Sequence, residues 1–338
     1  MTHFTFVGTC NECEGYGRAT IHTREALRRL GADFDFVPIE HRELSWPATD
    51  KIAVDGLAFA WSVPEYWDRI QADELWGAFV WETTKLPQYR VDIINERAAR
   101  LFTFSEWAKG MFIDSGVTIP VHVMPHGVSQ DEYFDLERPP DRSPYTFLLL
   151  GELAERKGWD IAYTAFLEEF GTDPNVKLIM KTRGRCPLAE CTDPNVEVIA
   201  EEYTISQMRE LFRQADCFVF PSRGEGYGIP PREAAATGLP VIATGWSGLT
   251  EGGIENYAYP LKHTMVKANY GYQHAEECGD WAEPDKAHLK SLMRWCYENQ
   301  KLAAEKGRRS AEWVRRECRW DVGARALLEI VDAHHRQI

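Results

Sequence analysis

The chain has 338 residues, too many for one ordinary core and enough for two domains of roughly 150 residues each. Its formal charge of −14 argues against a wide face for nucleic acid or anionic lipid. Hydrophobic residues make up 44% and charged residues 27%, the balance of a soluble globular protein. The first residues, Met1-Thr2-His3-Phe4-Thr5-Phe6-Val7-Gly8, lack a basic region followed by a long apolar run. No stretch approaches the ~20 apolar residues of a membrane span. A soluble, cytoplasmic protein is expected.

A short apolar strand opens the chain at Phe4 to Gly8. A loop from Thr9 to Gly17 carries Gly15 and Gly17 and leads to a helix from about Arg18 to Leu30. Ile21, Ala26, Leu27 and Leu30 form its apolar face, and Gly31 ends it. A second strand follows at Phe34 to Ile39. Further strands are expected at Ile52–Val54, Trp76–Trp81, Leu101–Phe104 and Val121–Met124. Ser105 is a good N-cap for a helix reaching about Asp114.

Leu136 to Pro144 is rich in proline and charge and has no periodicity, so it reads as a linker. The alternation then restarts with a strand at Tyr145–Leu150 and a helix from about Gly158 to Phe170. Strands are expected at Val176–Met180, Val196–Ile199, Cys217–Phe220 and Pro240–Ala243, and the end of the chain, from about Leu289, reads as helical. Alternating strands and helices make an α/β protein with parallel sheets covered on both faces. The expected domains are 1–138 and 145–305, joined by 139–144. C-terminal helices over 306–338 would pack back towards the first domain. Two doubly wound domains should leave a cleft at the carboxyl ends of their sheets, where ligands bind in open α/β folds.

Eight cysteines are scattered along the chain, and reduced, mostly buried thiols are expected. Cys10 and Cys13 form a C-x-x-C, but Cys186 and Cys191 are badly spaced to complete a zinc site with them. Asp33-Phe34-Asp35 is a D-x-D at the start of a strand rather than at a strand's carboxyl end, so no metal is implied.

The most informative stretch runs from Phe220 to Glu251. A strand ends at Phe220, and a loop with Gly224, Gly226 and Gly228 follows. Pro230 and Pro231 then begin a helix that stops at Gly238. A glycine loop feeding a helix N-terminus is an anion site suited to a pyrophosphate. Glu225 in the loop and Glu233 in the first helical turn are separated by seven residues. Carboxylates beside a phosphate site need hydroxyls to bind, and those of a ribose and a hexose are the obvious ones.

The E-x7-E pattern, set in Gly224-Glu225-Gly226-Tyr227-Gly228 and followed by Gly238-Leu239-Pro240-Val241-Ile242-Ala243-Thr244 and Trp246-Ser247-Gly248, resembles the retaining family-4 glycosyltransferases. The resemblance implies a GT-B fold, two Rossmann-like domains facing each other across a cleft. It also implies a nucleotide-sugar donor as co-substrate, no resident cofactor and no metal. Carried onto this chain, Glu225 contacts the donor sugar and Glu233 the ribose hydroxyls. The N–H groups of Gly226, Tyr227 and Gly228 meet the sugar or the phosphates. Glu251 matches the glutamate of a later G-x-x-E element, with a helix-terminal charge as the equal alternative.

Gly151 to Gly158 resembles the family's G-R-x-x-x-x-K-G element, which binds the donor pyrophosphate. Lys157 matches, Glu152 stands at the arginine position, and Arg156 is the neighbouring cation that can compensate. Glu14-Gly15-Tyr16-Gly17-Arg18 resembles the loop facing the donor phosphates and acceptor. Arg18 there has two readings, phosphate contact or helix capping. Trp81-Glu82-Thr83 resembles a W-E-T element lining the cleft, where Glu82 is either a hydroxyl ligand or a plain loop carboxylate. Met124-Pro125-His126-Gly127-Val128 resembles a P-N-G-V turn, with His126 structural. The function implied is transfer of a hexose from a UDP- or GDP-sugar to a hydroxyl acceptor on a glycan, lipid or small molecule, with retention. The acidic balance gives a nucleic-acid base no support as acceptor. The rival readings are an epimerase or phosphorylase on the same fold, and an inactive sugar-nucleotide-binding protein.

Overall fold

The computed structural model describes residues 3–11, 15–39, 51–134, 136–138, 143–183, 186–188, 190–269 and 277–336. The chain divides into two compact units. One comprises Met1–Gly127, Gly271–Gly279 and Arg319–Ile338. The other comprises Val128–Tyr270 and Asp280–Cys318.

The first unit is built on six parallel strands: β1 (Phe4–Thr9), β2 (Phe34–Ile39), β3 (Leu57–Trp61), β4 (Glu74–Ala78), β5 (Arg100–Thr103) and β6 (Val121–Val123). Their spatial order is β2-β1-β3-β4-β5-β6. Every residue of β1 and β3 is buried, as expected for central strands covered on both faces. The sequence reading has no strand at Leu57–Trp61; the strand expected at Ile52–Val54 is instead a two-residue pairing of Ile52–Ala53 with Ile70–Gln71. Gly77 of β4 is required by packing, because a Cβ there would overlap the Trp67 ring.

Helix α1 spans Gly15–Arg29, so Gly15 and Gly17 lie inside the helix and not in the loop before it. Gly31, at φ +75°, ends the helix as expected. Helix α2 (Gln88–Arg97) has no counterpart in the sequence reading. Helix α3 (Glu106–Asp114) is capped by Ser105, whose hydroxyl accepts from Ala108 N–H at 3.2 Å. The C-terminal helix, Trp320–His335, packs on α1 within this unit, where Trp320 stacks on His22. Residues 306–318, expected to pack with it, belong to the second unit.

The second unit carries β7 (Tyr145–Leu150), β8 (Val176–Lys181), β9 (Val196–Ile199), β10 (Cys217–Phe220), β11 (Val241–Thr244) and β12 (Tyr259–Leu261), all parallel. Their order is β9-β8-β7-β10-β11-β12. The connection order reverses between β7 and β10, the position where open α/β sheets bind ligands beyond the strand carboxyl ends. Side chains alternate between two cores. Leu148, Phe218, Phe220 and Val241 face α5 (Ile205–Gln214) and α6 (Ile229–Ala236). Phe147, Leu149, Val219 and Ile242 face α4 (Trp159–Phe170) and α7 (Lys286–Glu298). A hairpin of β13 (His263–Lys267) and β14 (Asp280–Pro284), absent from the sequence reading, completes the strands. The unit's last helix is α8 (Gln300–Glu317).

Arg138, which precedes the 139–144 linker, is tied to this unit. Arg138 donates to the backbone carbonyls of Thr237 at 2.6 Å, Phe212 at 3.2 Å and Ala215 at 3.3 Å. Composition marks such a segment as non-helical but does not reveal this anchorage. The units accordingly divide after Gly127, ahead of the 139–144 linker read from composition.

Candidate active site

The two loops at the sheet reversal bring the strongest candidates together. After β7, a turn of 3-10 helix at Glu155–Lys157 presents Arg156 and Lys157, and Gly158 at φ +67° starts α4. A Cβ on Gly158 would overlap the Pro221 carbonyl, so the loop after β7 lies directly against the loop after β10. Glu225, in that second loop, is buried. Its Oε1 accepts from Lys157 Nζ at 2.6 Å, Arg156 Nη1 at 3.3 Å and Ser222 Oγ at 2.8 Å. Arg156 Nη1 also donates to the Gly224 carbonyl at 2.6 Å. Burial alone would raise the Glu225 pKa; Lys157, Arg156 and the Ser222 hydroxyl outweigh it and hold the carboxyl below its ordinary value.

The backbone of Glu225 is pinned to the next loop. Its N–H donates to Ser247 Oγ at 3.0 Å, and its carbonyl accepts from Gly248 N–H at 2.8 Å. Ser247 holds φ at +56°, an uncommon conformation for a non-glycine residue. Gly248 allows a close approach, since a Cβ there would overlap the Gly226 carbonyl. Gly226, Tyr227 and Gly228 are all buried and lead into α6, with Gly228 at φ +85°. Glu233 follows on α6 and is also buried. Glu251 ends a 3-10 turn over Ser247–Thr250 and is partly exposed. Pro230 and Pro231 have no N–H, so the first turn of α6 offers fewer donors to an anion than an ordinary helix start.

Glu152, at the position where an arginine was expected, is exposed. Arg156 lies beside Lys157 at the Glu225 carboxylate.

Two arginines that the sequence reading passed over organise these loops. Arg223 is buried and pairs with Asp160, with 2.9 Å from each terminal nitrogen to a carboxylate oxygen. It also pairs with Glu283 at 2.6 and 3.1 Å, and it donates to the Glu155 carbonyl. Burial would lower its pKa, and the two carboxylates more than reverse that. Arg223 N–H donates to the Arg156 carbonyl at 2.6 Å. It therefore staples the cation-bearing loop to the loop of Glu225. Arg232, fully buried on α6, is the second. The only signal in the sequence was a lone arginine within a helix of small residues, Pro230-Pro231-Arg232-Glu233-Ala234-Ala235-Ala236.

The remaining candidates belong to the first unit. Gly15 and Gly17 are helical, and a Cβ on Gly17 would overlap the Asn11 backbone. Arg18 is partly buried on the same helix. Burial raises the pKa of the adjacent Tyr16, and Glu82 adds to the shift. Thr83 is fully buried and its hydroxyl is spent within its turn, accepting from Trp81 Nε1 at 2.7 Å and donating to the Lys85 carbonyl at 3.2 Å. That explains its presence by structure rather than by ligand contact. His126 is stacked against Trp61 and Phe104, with ring centroids 5.2 and 3.9 Å away, in a packing role. Asp33 and Asp35 lie at the start of β2, each within 3.4 Å of a nitrogen of His3. Cys186 and Cys191 are free thiols, while Cys13 and Glu14 lie outside the described residues.

Residues 144–266 match the family model described as glycosyl transferases group 1. The chain is 25% identical over 235 residues to mannosylfructose-phosphate synthase of Agrobacterium fabrum, covering 63% of this chain and 47% of that protein. It is 51% identical over 62 residues to the lipopolysaccharide core biosynthesis mannosyltransferase LpsB of Rhizobium meliloti, 18% of either chain. The alignments thus reach about half the length of the first curated relatives. Among solved structures, sucrose-phosphate synthase from Thermosynechococcus elongatus superimposes with a TM-score of 0.70 at 14% identity, covering 100% of both chains. That likeness establishes the fold, two Rossmann-like domains of the GT-B class. No helix among the described residues is long and apolar enough to cross a membrane.

Proposed function

We propose that this chain, which matches the group 1 glycosyltransferases over residues 144–266, moves a hexose from a UDP- or GDP-sugar to a hydroxyl acceptor, with retention of anomeric configuration and without a metal or resident cofactor. One observation carries the reading: a buried, ionised Glu225 held by Lys157 and Arg156 where the sheet order reverses. A carboxylate and two cations at the mouth of a glycine loop suit a ligand with both sugar hydroxyls and phosphates. The mannosyl groups in the names of two relatives support a hexose donor.

On this reading the donor diphosphate takes over Lys157 and Arg156, and Glu225 turns to the sugar hydroxyls. Glu233 binds the ribose, and the loop N–H groups meet the phosphates. The bond from the anomeric carbon to the diphosphate oxygen breaks. Negative charge then grows on the leaving phosphate, where the two cations stabilise it by preorganised electrostatics. The leaving oxygen takes the acceptor's proton while the acceptor oxygen bonds to the same face of the sugar.

The test is a thermal-shift screen over UDP-, GDP- and ADP-sugars, followed by variants. Glu225→Ala is expected to abolish transfer while changing nucleotide affinity by less than about tenfold, and Glu233→Ala to act mainly on nucleotide affinity. No stabilisation by any donor, or full activity in both variants, would overturn the reading.

A further inference from the structure

The sheet of the first unit has its own reversal. Its order, β2-β1-β3-β4-β5-β6, turns back between β1 and β3, and an open α/β sheet takes its ligand beyond the strand carboxyl ends at such a point. Tyr16 follows β1 in the first turn of α1, and Glu65 follows β3 in a 3-10 turn over Pro64–Arg69. Glu82 follows β4, and Tyr89 and Arg90 open α2. All of these residues belong to the first unit.

Their side chains form one cluster. Glu65 Oε1 accepts from Arg90 Nε at 2.7 Å and from Tyr89 OH at 2.9 Å. The Arg90 guanidinium lies over the Trp81 ring, 4.7 Å from its centroid. The Tyr16 hydroxyl is hydrogen-bonded to the backbone of Val80 and lies within electrostatic reach of Glu82, Arg90 and Glu65.

The two oxygens of Glu65 are used unequally. Oε1 serves two donors, whereas Oε2 is buried and has no hydrogen-bond partner. A carboxylate oxygen in that state carries a desolvation cost that a bound donor removes. The side chain as a whole is 29% exposed, so a ligand can reach it from solvent. Arg90 already balances the charge of Glu65, which leaves Oε2 suited to a neutral donor such as a hydroxyl. Glu82 adds a second carboxylate against the single guanidinium, and that net negative charge disfavours a phosphorylated ligand.

We propose that this cluster binds the acceptor of the transfer reaction, that the acceptor is a neutral sugar, and that Glu65 Oε2 receives one of its hydroxyls. This rests on the transferase reading above and names its acceptor class.

The test begins with UDP and GDP titrated into wild type, which examines the donor reading by itself. Methyl α-glucoside, methyl α-mannoside and methyl α-galactoside are then the neutral probes. Glucose 6-phosphate and mannose 6-phosphate are the anionic probes, and glucosamine is the cationic one. Saturation-transfer NMR on wild type, which needs no variant to fold, should show at least one methyl glycoside bound. Glu65→Gln is expected to bind that glycoside about tenfold more weakly, while its UDP and GDP affinities stay within about twofold of wild type. The proposal is overturned if the nucleotides bind and no methyl glycoside does, or if only the phosphorylated sugars or only glucosamine bind. It is also overturned if Glu65→Gln keeps full glycoside affinity, or loses glycoside and nucleotide affinity equally, because the latter marks a merely structural carboxylate. Wild type that binds neither nucleotide would remove the transferase reading and the acceptor role with it, a result distinct from the others.

Discussion

Glu225 is the residue on which the site turns, and its electrostatics are open to measurement. Its carboxyl titrates below its ordinary value because two cations outweigh burial. Such a group is deprotonated when folded at a pH where the unfolded chain takes up a proton. Its contribution to stability is therefore complete above the unfolded carboxylate pKa of about 4.3 and is lost as pH falls through the lower folded value. Glu225→Gln keeps the shape but leaves Lys157 and Arg156 without their counter-charge. We expect it to cost about 2 kcal/mol at pH 7, with the deficit shrinking towards pH 3. Urea unfolding of both proteins across that range measures it, and a deficit independent of pH would refute the account. The identities of Glu225 and Lys157 were legible in the sequence because loop glycines and a following helix fix their setting. Arg223 and Arg232 were not, because their partners lie on loops 60 or more and up to 19 positions away, at Asp160, Glu283 and Glu251.

At the scale of elements, alternating apolar runs were enough to place most strands of both sheets. Leu57–Trp61 escaped because no helix separates it from the preceding apolar residues, so the strand–helix rhythm gives no cue there. The hairpin of β13 and β14 escaped because much of it is exposed and twelve residues separate its strands. Glycines misled at the start of α1. A glycine pair reads as a loop, yet Gly15 and Gly17 are helical, and only Gly17 has a packing reason to be glycine. A Cβ at Gly15 meets nothing within 4 Å. Gly15→Ala should thus change stability by less than about 0.5 kcal/mol, with any change stabilising. Gly17→Ala should destabilise by more than about 2 kcal/mol, because the Asn11 backbone must move. Thermal melts of the two variants decide this. Equal effects would return both glycines to a loop.

At the scale of the whole molecule, the chain does not complete its first unit until its last helix. Arg319–Ile338 belongs with Met1–Gly127, while the intervening α8 belongs to the second unit. The C-terminal helix buries Trp320, Leu327 and Val331 in the first unit. At about 2 kcal/mol for each large apolar side chain, its removal costs roughly 6 kcal/mol, comparable to the entire stability of an ordinary domain. It would also uncover the face of α1 against which it packs. The hydrogen bonds that Glu225 and Arg223 make, by contrast, are drawn from residues 155 to 283. A chain ending at Cys318 should therefore lose the protease resistance of residues 1–127 while its second unit still binds UDP or GDP. Limited proteolysis with mass mapping, run beside nucleotide titration, separates the two effects. A truncated chain whose first unit resists protease as well as wild type would show that the C-terminal helix is dispensable to that core.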